Sequence, residues 1–122
     1  VLEPLSGYLL LAQGLFEQGS VFSSGWNFGP NDDDNRSVKD VIELIIAGWG
    51  GSARWEKELS EQPHEANLLK LDCSKARVQL GWAPKWNLEV AAHKIVDWQK
   101  AFQTKENMRT FSIMQINQYM NA

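Results

Sequence analysis

The stretch Gly25-Trp26-Asn27-Phe28-Gly29-Pro30, followed by the polar run Asn31 to Asn35 and then by Ser37-Val38-Lys39-Asp40-Val41-Ile42, decides the fold class. Aromatic residues that alternate with Asn27 and run into a Gly-Pro pair predict a short strand closed by a turn. Ser37 with a carboxylate three residues on, at Asp40, predicts a capping box, and Val38, Val41, Ile42 and Ile45 keep the 3.6-residue period of a helix. Strand, loop and capped helix in succession predict an α/β domain of α+β-like character, mostly helices with a few short strands.

Upstream of that stretch, Leu5, Leu9, Ala12 and Phe16 recur at helical spacing, and Leu2, Tyr8, Leu11 and Leu15 widen the stripe until most of the circumference is apolar. Such a helix needs cover on more than one side. Gly14 weakens it, and Gly19 with Ser20 ends it. Downstream, Gly48, Gly50 and Gly51 stop the second helix, and Arg54 to Leu59 alternates as a second strand would. Asp72 is placed to cap a short helix from Ser74 to Leu80, with Gly81 as its stop. Beyond the Pro84 turn, Asn87 is an N-cap for a helix whose apolar face is Leu88, Ala91, Ala92, Ile95, Trp98 and Phe102. From Glu106 the apolar residues scatter around the wheel, which gives only weak helical periodicity in the tail.

The 122 residues carry 12 Lys and Arg against 15 Asp and Glu, a net charge of −3 with the histidines neutral. Phosphate neutralisation needs clustered basic residues, so nucleic acid is not an expected partner. At 43% apolar and 22% charged, the composition is that of one globular domain. The longest apolar run, Val41 to Gly51, is interrupted by Glu43 and falls far short of the roughly 20 residues of a membrane span. A single cysteine, Cys73, excludes an internal disulfide and a multi-cysteine zinc site, and suits a reducing cytoplasm. The chain opens at Val1 without Met or a basic leader, so no signal peptide is expected, and it reads as a piece cut from something longer.

Four features could carry chemistry. A calcium loop begun at Asn31 would put Arg36 where glycine is needed and Ile42 where the bidentate Glu belongs, so Asp32, Asp33 and Asp34 read as a solvated loop, and no metal ligand is assigned. His64 beside Glu65 could be an acid and base pair, or could offer a donor and an acceptor to a polar ligand; the plain alternative is a loop histidine. Adjacent residues on extended backbone point to opposite sides, which favours ligand contact over shared proton transfer. His93, one turn before Asp97 on the outer face of its helix, reads as a surface pair. Six tryptophans could stack on sugars, but Trp98 belongs to a core stripe, and Trp82 and Trp86 flank Pro84 as packing residues do. The lone Cys73 reads as a buried small hydrophobe. The chain has no glycine-rich phosphate loop after a strand, no Tyr-x-x-x-Lys pair and no nucleophile elbow, so no catalytic residue is assigned within it.

Several phrases in order nonetheless carry a resemblance: Trp26-Asn27-Phe28-Gly29-Pro30, Pro63-His64-Glu65-Ala66, Leu71-Asp72-Cys73-Ser74-Lys75-Ala76 and Leu80-Gly81-Trp82-x-Pro84. Together they resemble the C-terminal part of an extended short-chain dehydrogenase/reductase acting on a nucleotide sugar. The opening Val1-Leu2-Glu3-Pro4-Leu5-Ser6-Gly7-Tyr8, the Pro-His-Glu-Ala phrase and Lys85-Trp86-Asn87-Leu88 are most similar to the CDP-glucose 4,6-dehydratases among them. The resemblance covers residues 1–105, which it implies are part of a C-terminal nucleotide-sugar-binding lobe, and leaves 106–122 as a C-terminal tail.

The resemblance implies a division of labour. A first lobe, upstream of Val1, would hold NAD in a Rossmann fold, carry the catalytic Thr, Tyr and Lys, and make the contacts of a homo-oligomer. The second lobe would close over CDP-glucose, which is oxidised at C4, loses water across C5 and C6, and regains the hydride at C6. By position, Asn27 follows the aromatic residue of the strand phrase, and His64 and Glu65 fall on the loop that reaches the diphosphate or ribose. Gln62 stands where many relatives carry a phosphate-binding arginine. Asp72, Lys75, Leu80, Gly81, Trp82 and Pro84 read as structural. A related nucleotide-sugar epimerase or dehydratase, and an autonomous tryptophan-rich carbohydrate-binding domain, are the alternatives.

Overall fold

The computed structural model describes residues 1–56 and 71–122. Their regular structure is entirely helical: α1 (Leu2–Gln18), α2 (Val38–Trp49), α3 (Ser74–Leu80), α4 (Leu88–Gln103) and α5 (Met108–Met120), with short 3-10 turns at Gly19–Phe22 and Asp32–Asp34. There is no strand among the described residues, which corrects the α/β expectation, and nothing in the helical assembly shows a Rossmann-type parent. The expected strand at Gly25 to Phe28 is irregular backbone. A strand is defined by a ladder to a neighbour, whereas this segment is pinned by side chains. Lys75 Nζ donates to the Gly25 carbonyl at 3.0 Å and Asn27 Nδ2 donates to the Asp72 carbonyl at 3.1 Å. Of the second expected strand, Arg54 to Trp55 and Glu56 are also irregular, and the remainder lies outside the described residues.

The helix ends follow local chemistry. Ser37 Oγ accepts from Asp40 N–H while the Asp40 carboxylate accepts from Ser37 N–H, completing the capping box of α2. Asn87 Oδ1 accepts from Val90 N–H at 2.9 Å and starts α4. Ser74 N–H donates to Asp72 Oδ1 at 2.8 Å, and Gly81 stops α3 with a left-handed φ of 63°. Asn107 caps α5 through Thr110 N–H at 3.1 Å, so the tail is a helix of 13 residues.

Packing gives two bodies of contact. In the first, α1 and α3 enclose Cys73, Ala76 and Trp82, with Trp26, Phe28 and Leu80 against them. Trp82 is 2% exposed, its ring meeting Phe28 edge-on at 5.0 Å and its Nε1 donating to Ser6 Oγ at 2.9 Å. In the second, α2 lies along α4, where Gly48 approaches Val96, and Lys100 Nζ donates to the Gly48 carbonyl at 3.0 Å. Helix α5 packs back on α4 through polar groups: Trp98 Nε1 to Ser112 Oγ at 3.0 Å, Gln115 Nε2 to the Lys94 carbonyl at 2.9 Å, and Lys94 Nζ to Gln118 Oε1 at 2.7 Å.

One expected core face is shifted and another is turned. On α4, Ala92 of the expected stripe is buried and Leu88, Ala91 and Trp98 are half-buried, while Ile95 and Phe102 stay exposed and Val96 and Ala101 are buried beside Ala92. On α1 the buried residues are Gly7 and Gly14, while Leu5, Leu9 and Phe16 face outward, Phe16 at 92% exposure. The reversal on α1 has a steric cause: Gly7 and Gly14 let the Phe28 and Phe22 rings approach closest, so the glycines define the contact line.

Candidate functional site

The residues expected to touch a ligand are Asn27, His64 and Glu65. His64 and Glu65, with Gln62 and Pro63, lie outside the described residues. Asn27 is exposed, on the irregular segment between α1 and α2, with its side-chain amide on the Asp72 carbonyl at the threshold of α3.

That bond is one of a row that joins residues 24–31 to 72–77. Lys75 Nζ donates to Ser24 Oγ at 2.6 Å and to the Gly25 carbonyl at 3.0 Å, and stands 4.2 Å from the centre of the Trp26 ring. Trp26 in turn stacks on Phe22 at 5.7 Å and donates from Nε1 to the Phe22 carbonyl at 3.0 Å. Farther along, Arg77 Nη2 donates to Asn31 Oδ1 at 3.1 Å. Gly29 belongs to the same seam, since a Cβ there would sit 3.4 Å from Cys73 Sγ and from Leu71. Cys73 is 4% exposed beneath this seam, in keeping with its reading as a small hydrophobe.

A second polar constellation ties α5 to α1. The Glu3 carboxylate accepts from Trp86 N–H at 2.8 Å, from Lys85 N–H and from the Tyr119 hydroxyl at 2.7 Å. Ser6 Oγ lies 2.9 Å from the same hydroxyl. Lys85 Nζ donates to the carbonyls of Tyr119, Met120 and Ala122, closing the carboxyl end of α5. Burial first, and then the Glu3 carboxylate against the opposing pull of the Ser6 hydroxyl, pushes the Tyr119 phenol up to about 12. Nothing in the sequence pattern pointed to this cluster, because its members are 113 and 116 residues apart.

Two hollows lie elsewhere. One, of about 560 Å³ between the starts of α2 and α4, is lined by Asp33, Asp34, Asp40, Glu43 and Glu89 with Arg36. Asp40 there is held below the usual carboxylate range by its bonds to Ser37. Among the described residues no group of three or more His, Cys, Asp or Glu is arranged to hold a metal ion. The other, of about 440 Å³, is an apolar groove between α1, α4 and α5 lined by Leu2, Trp86, Ile95, Trp98 and Ile116. Neither contains Asn27.

His93 Nδ1 meets the Glu89 carbonyl at 2.8 Å rather than Asp97, so the expected surface pair is replaced by a bond to its own helix. The tryptophans at 26, 82, 86 and 98 are engaged in ring contacts, Trp86 edge-on to Tyr119 at 5.1 Å and Trp98 stacked on Phe102 at 5.7 Å. None of the helices among the described residues is long and apolar enough to cross a membrane.

No protein-family model matches the chain. The sequence is instead similar to one curated enzyme along its whole length, and spans about a third (34%) of that enzyme. Over all 122 residues the chain is 48% identical to the C-terminal third of the CDP-glucose 4,6-dehydratase of Salmonella typhimurium.

Proposed function

We propose that this chain is the nucleotide-sugar-binding third of a cytoplasmic CDP-glucose 4,6-dehydratase, and that the catalytic groups lie in residues outside it. The observation that carries the reading is the 48% identity, over all 122 residues, to that enzyme's C-terminal third. The described residues hold no strand followed by a glycine-rich turn and helix, the unit that cradles a dinucleotide, so they do not fit NAD. In this reading NAD would be held by the preceding lobe and would supply the hydride chemistry there. Within the chain, Asn27, His64 and Glu65 act by hydrogen bonding to CDP-glucose, without proton transfer. The exposed α1 stripe of Leu5, Leu9 and Phe16 packs on the preceding lobe, which also supplies the homo-oligomer contacts. Four tryptophans engaged in internal ring contacts weigh against an autonomous carbohydrate-binding module.

The test is a chimera that joins the N-terminal two-thirds of the Salmonella enzyme to this chain, assayed for the 4-keto-6-deoxy sugar from CDP-glucose. The chimera is expected to turn over, and the chain by itself is not. In the active chimera, His64→Ala and Glu65→Ala are each expected to raise KM by several-fold to about a hundredfold while kcat stays within a small factor. A folded chimera that leaves CDP-glucose unchanged overturns the reading; a fall in kcat at constant KM makes the pair catalytic.

A further inference from the structure

Lys75 lies on the first turn of α3, half-buried, and every partner it has among the described residues is neutral. An ammonium has three protons to donate. Two are used on Ser24 Oγ and the Gly25 carbonyl, and the group stands over the face of the Trp26 ring. These are the three residues immediately before Asn27. The Trp26 ring is itself fixed by its stack on Phe22 and its bond to the Phe22 carbonyl, so Lys75 grips a part of the chain that is held from the other side as well.

The backbone here has no ladder to fix its path, and the direction of the Asn27 side chain depends on these tethers. Lys75 holds the approach to Asn27 from the first turn of α3, and the Asp72 carbonyl, three residues earlier and just ahead of that helix, receives the Asn27 amide. Ser74 N–H on Asp72 Oδ1 locks that carbonyl's own residue to the start of α3. Approach and amide are thus referred to one rigid turn.

We propose that Lys75 is a positioning residue for nucleotide-sugar binding: by holding Ser24, Gly25 and Trp26 it sets the Asn27 side chain for contact with substrate. The inference rests on the assignment of Asn27 to the substrate grip in the preceding section. Lys75 itself need not touch substrate. Arginine keeps both the donors and the cation over an indole face, whereas alanine removes them all.

The experiment uses the active chimera and a double-mutant cycle. Lys75→Ala is expected to raise KM for CDP-glucose about five- to thirtyfold with kcat within twofold, and Lys75→Arg to recover most of the loss. In an Asn27→Ala background, Lys75→Ala is expected to add less than twofold, because the residue it acts through is gone. Lys39→Ala, which removes the same charge from an exposed pair with Glu43, controls for net charge and is expected to leave KM unchanged. An unchanged KM in Lys75→Ala, with or without a lower melting temperature, overturns the proposal, as does a KM effect that multiplies fully with Asn27→Ala. If the unsubstituted chimera is inactive, the functional reading fails and this inference falls with it; an active chimera with an indifferent Lys75 removes this inference alone.

Discussion

The two faces of α1 differ in a way that inverts hydrophobicity. The inner face presents Glu3, Ser6, Gly7 and Gly14, two glycines and two polar residues, and it is the one in contact: the Phe28 ring lies over Gly7, and the Phe22 ring over Gly14. The outer face presents Leu5, Leu9 and Phe16, exposed at 45%, 73% and 92%. Within this chain, contact goes where an aromatic ring can approach the helix axis, and glycine allows that approach. The leucine stripe stays in water in this chain.

The sharpest way to break the comparison is to add one methyl group to each inner glycine. A Cβ at Gly7 would lie 2.3 Å from Phe28 Cδ1, and Phe28 cannot retreat easily because Tyr8 and Trp82 meet it edge-on at 5.5 and 5.0 Å. Gly7→Ala is therefore expected to destabilise by about 1–3 kcal/mol even after the helix-propensity gain of about 1 kcal/mol. At Gly14 the nearest ring atoms lie 3.3 Å away, a contact that a small shift of Phe22 relieves. Gly14→Ala is expected to fall within about 1 kcal/mol of the parent, because the same propensity gain offsets the crowding. Chemical denaturation of the two variants decides the matter: equal losses would show that the ring at Gly7 is not the obstacle.

The same contrast explains what could be read from the sequence. Capping is local chemistry, so Ser37 with Asp40, Asn87, and Gly81 were legible as helix boundaries. The strand reading failed at Trp26 and Phe28 because alternate aromatic residues can arise from two separate packing contacts, one on Phe22 and one on Trp82, with no ladder beside them. Helix α5 was faint because its seam to α4 is made by Ser112, Gln115 and Gln118, which a hydrophobic period does not register. Of the candidate site, Asn27 came from the resemblance. Its partner Asp72 and the Lys75 tether arise from contacts across 45 to 51 residues, for which a single sequence carries no signal.

A smaller effect probes the polar half of the inner face. Tyr119 is 6% exposed, donates to Glu3, and has its phenol pushed up to about 12 from an ordinary value of 10.0. The folded chain holds that proton more tightly than the unfolded one, so the associated stabilisation is present below about pH 10 and is lost as pH rises from 10 toward 12. Tyr119→Phe is expected to cost about 0.5–1.5 kcal/mol at neutral pH. It should also flatten the alkaline fall in stability relative to the parent. Urea titrations between pH 8 and pH 11.5 check both; parallel alkaline slopes in parent and variant would remove Tyr119 from the linkage.

The smallest effect on stability is expected on the outer face, and it carries the most weight for the comparison. Leu9→Ser and Phe16→Ser alter side chains that are largely in water, so each is expected to change the unfolding free energy of the chain by no more than about 0.5 kcal/mol. Exposed apolar stripes of this kind do affect association and dye binding, since a contiguous patch beyond a few hundred Å² is unusual on a monomer. The parent chain is therefore expected to bind a hydrophobic dye and to self-associate in sedimentation at rising concentration, and the double variant to do both less. In the chimera the prediction changes sign of interest: if the preceding lobe covers this stripe, the same pair of substitutions is expected to lower the chimera's melting temperature while leaving the isolated chain's unchanged. Equal effects in the two settings would show that α1's outer face stays in water in the longer protein, and that the leucine stripe serves no intramolecular contact.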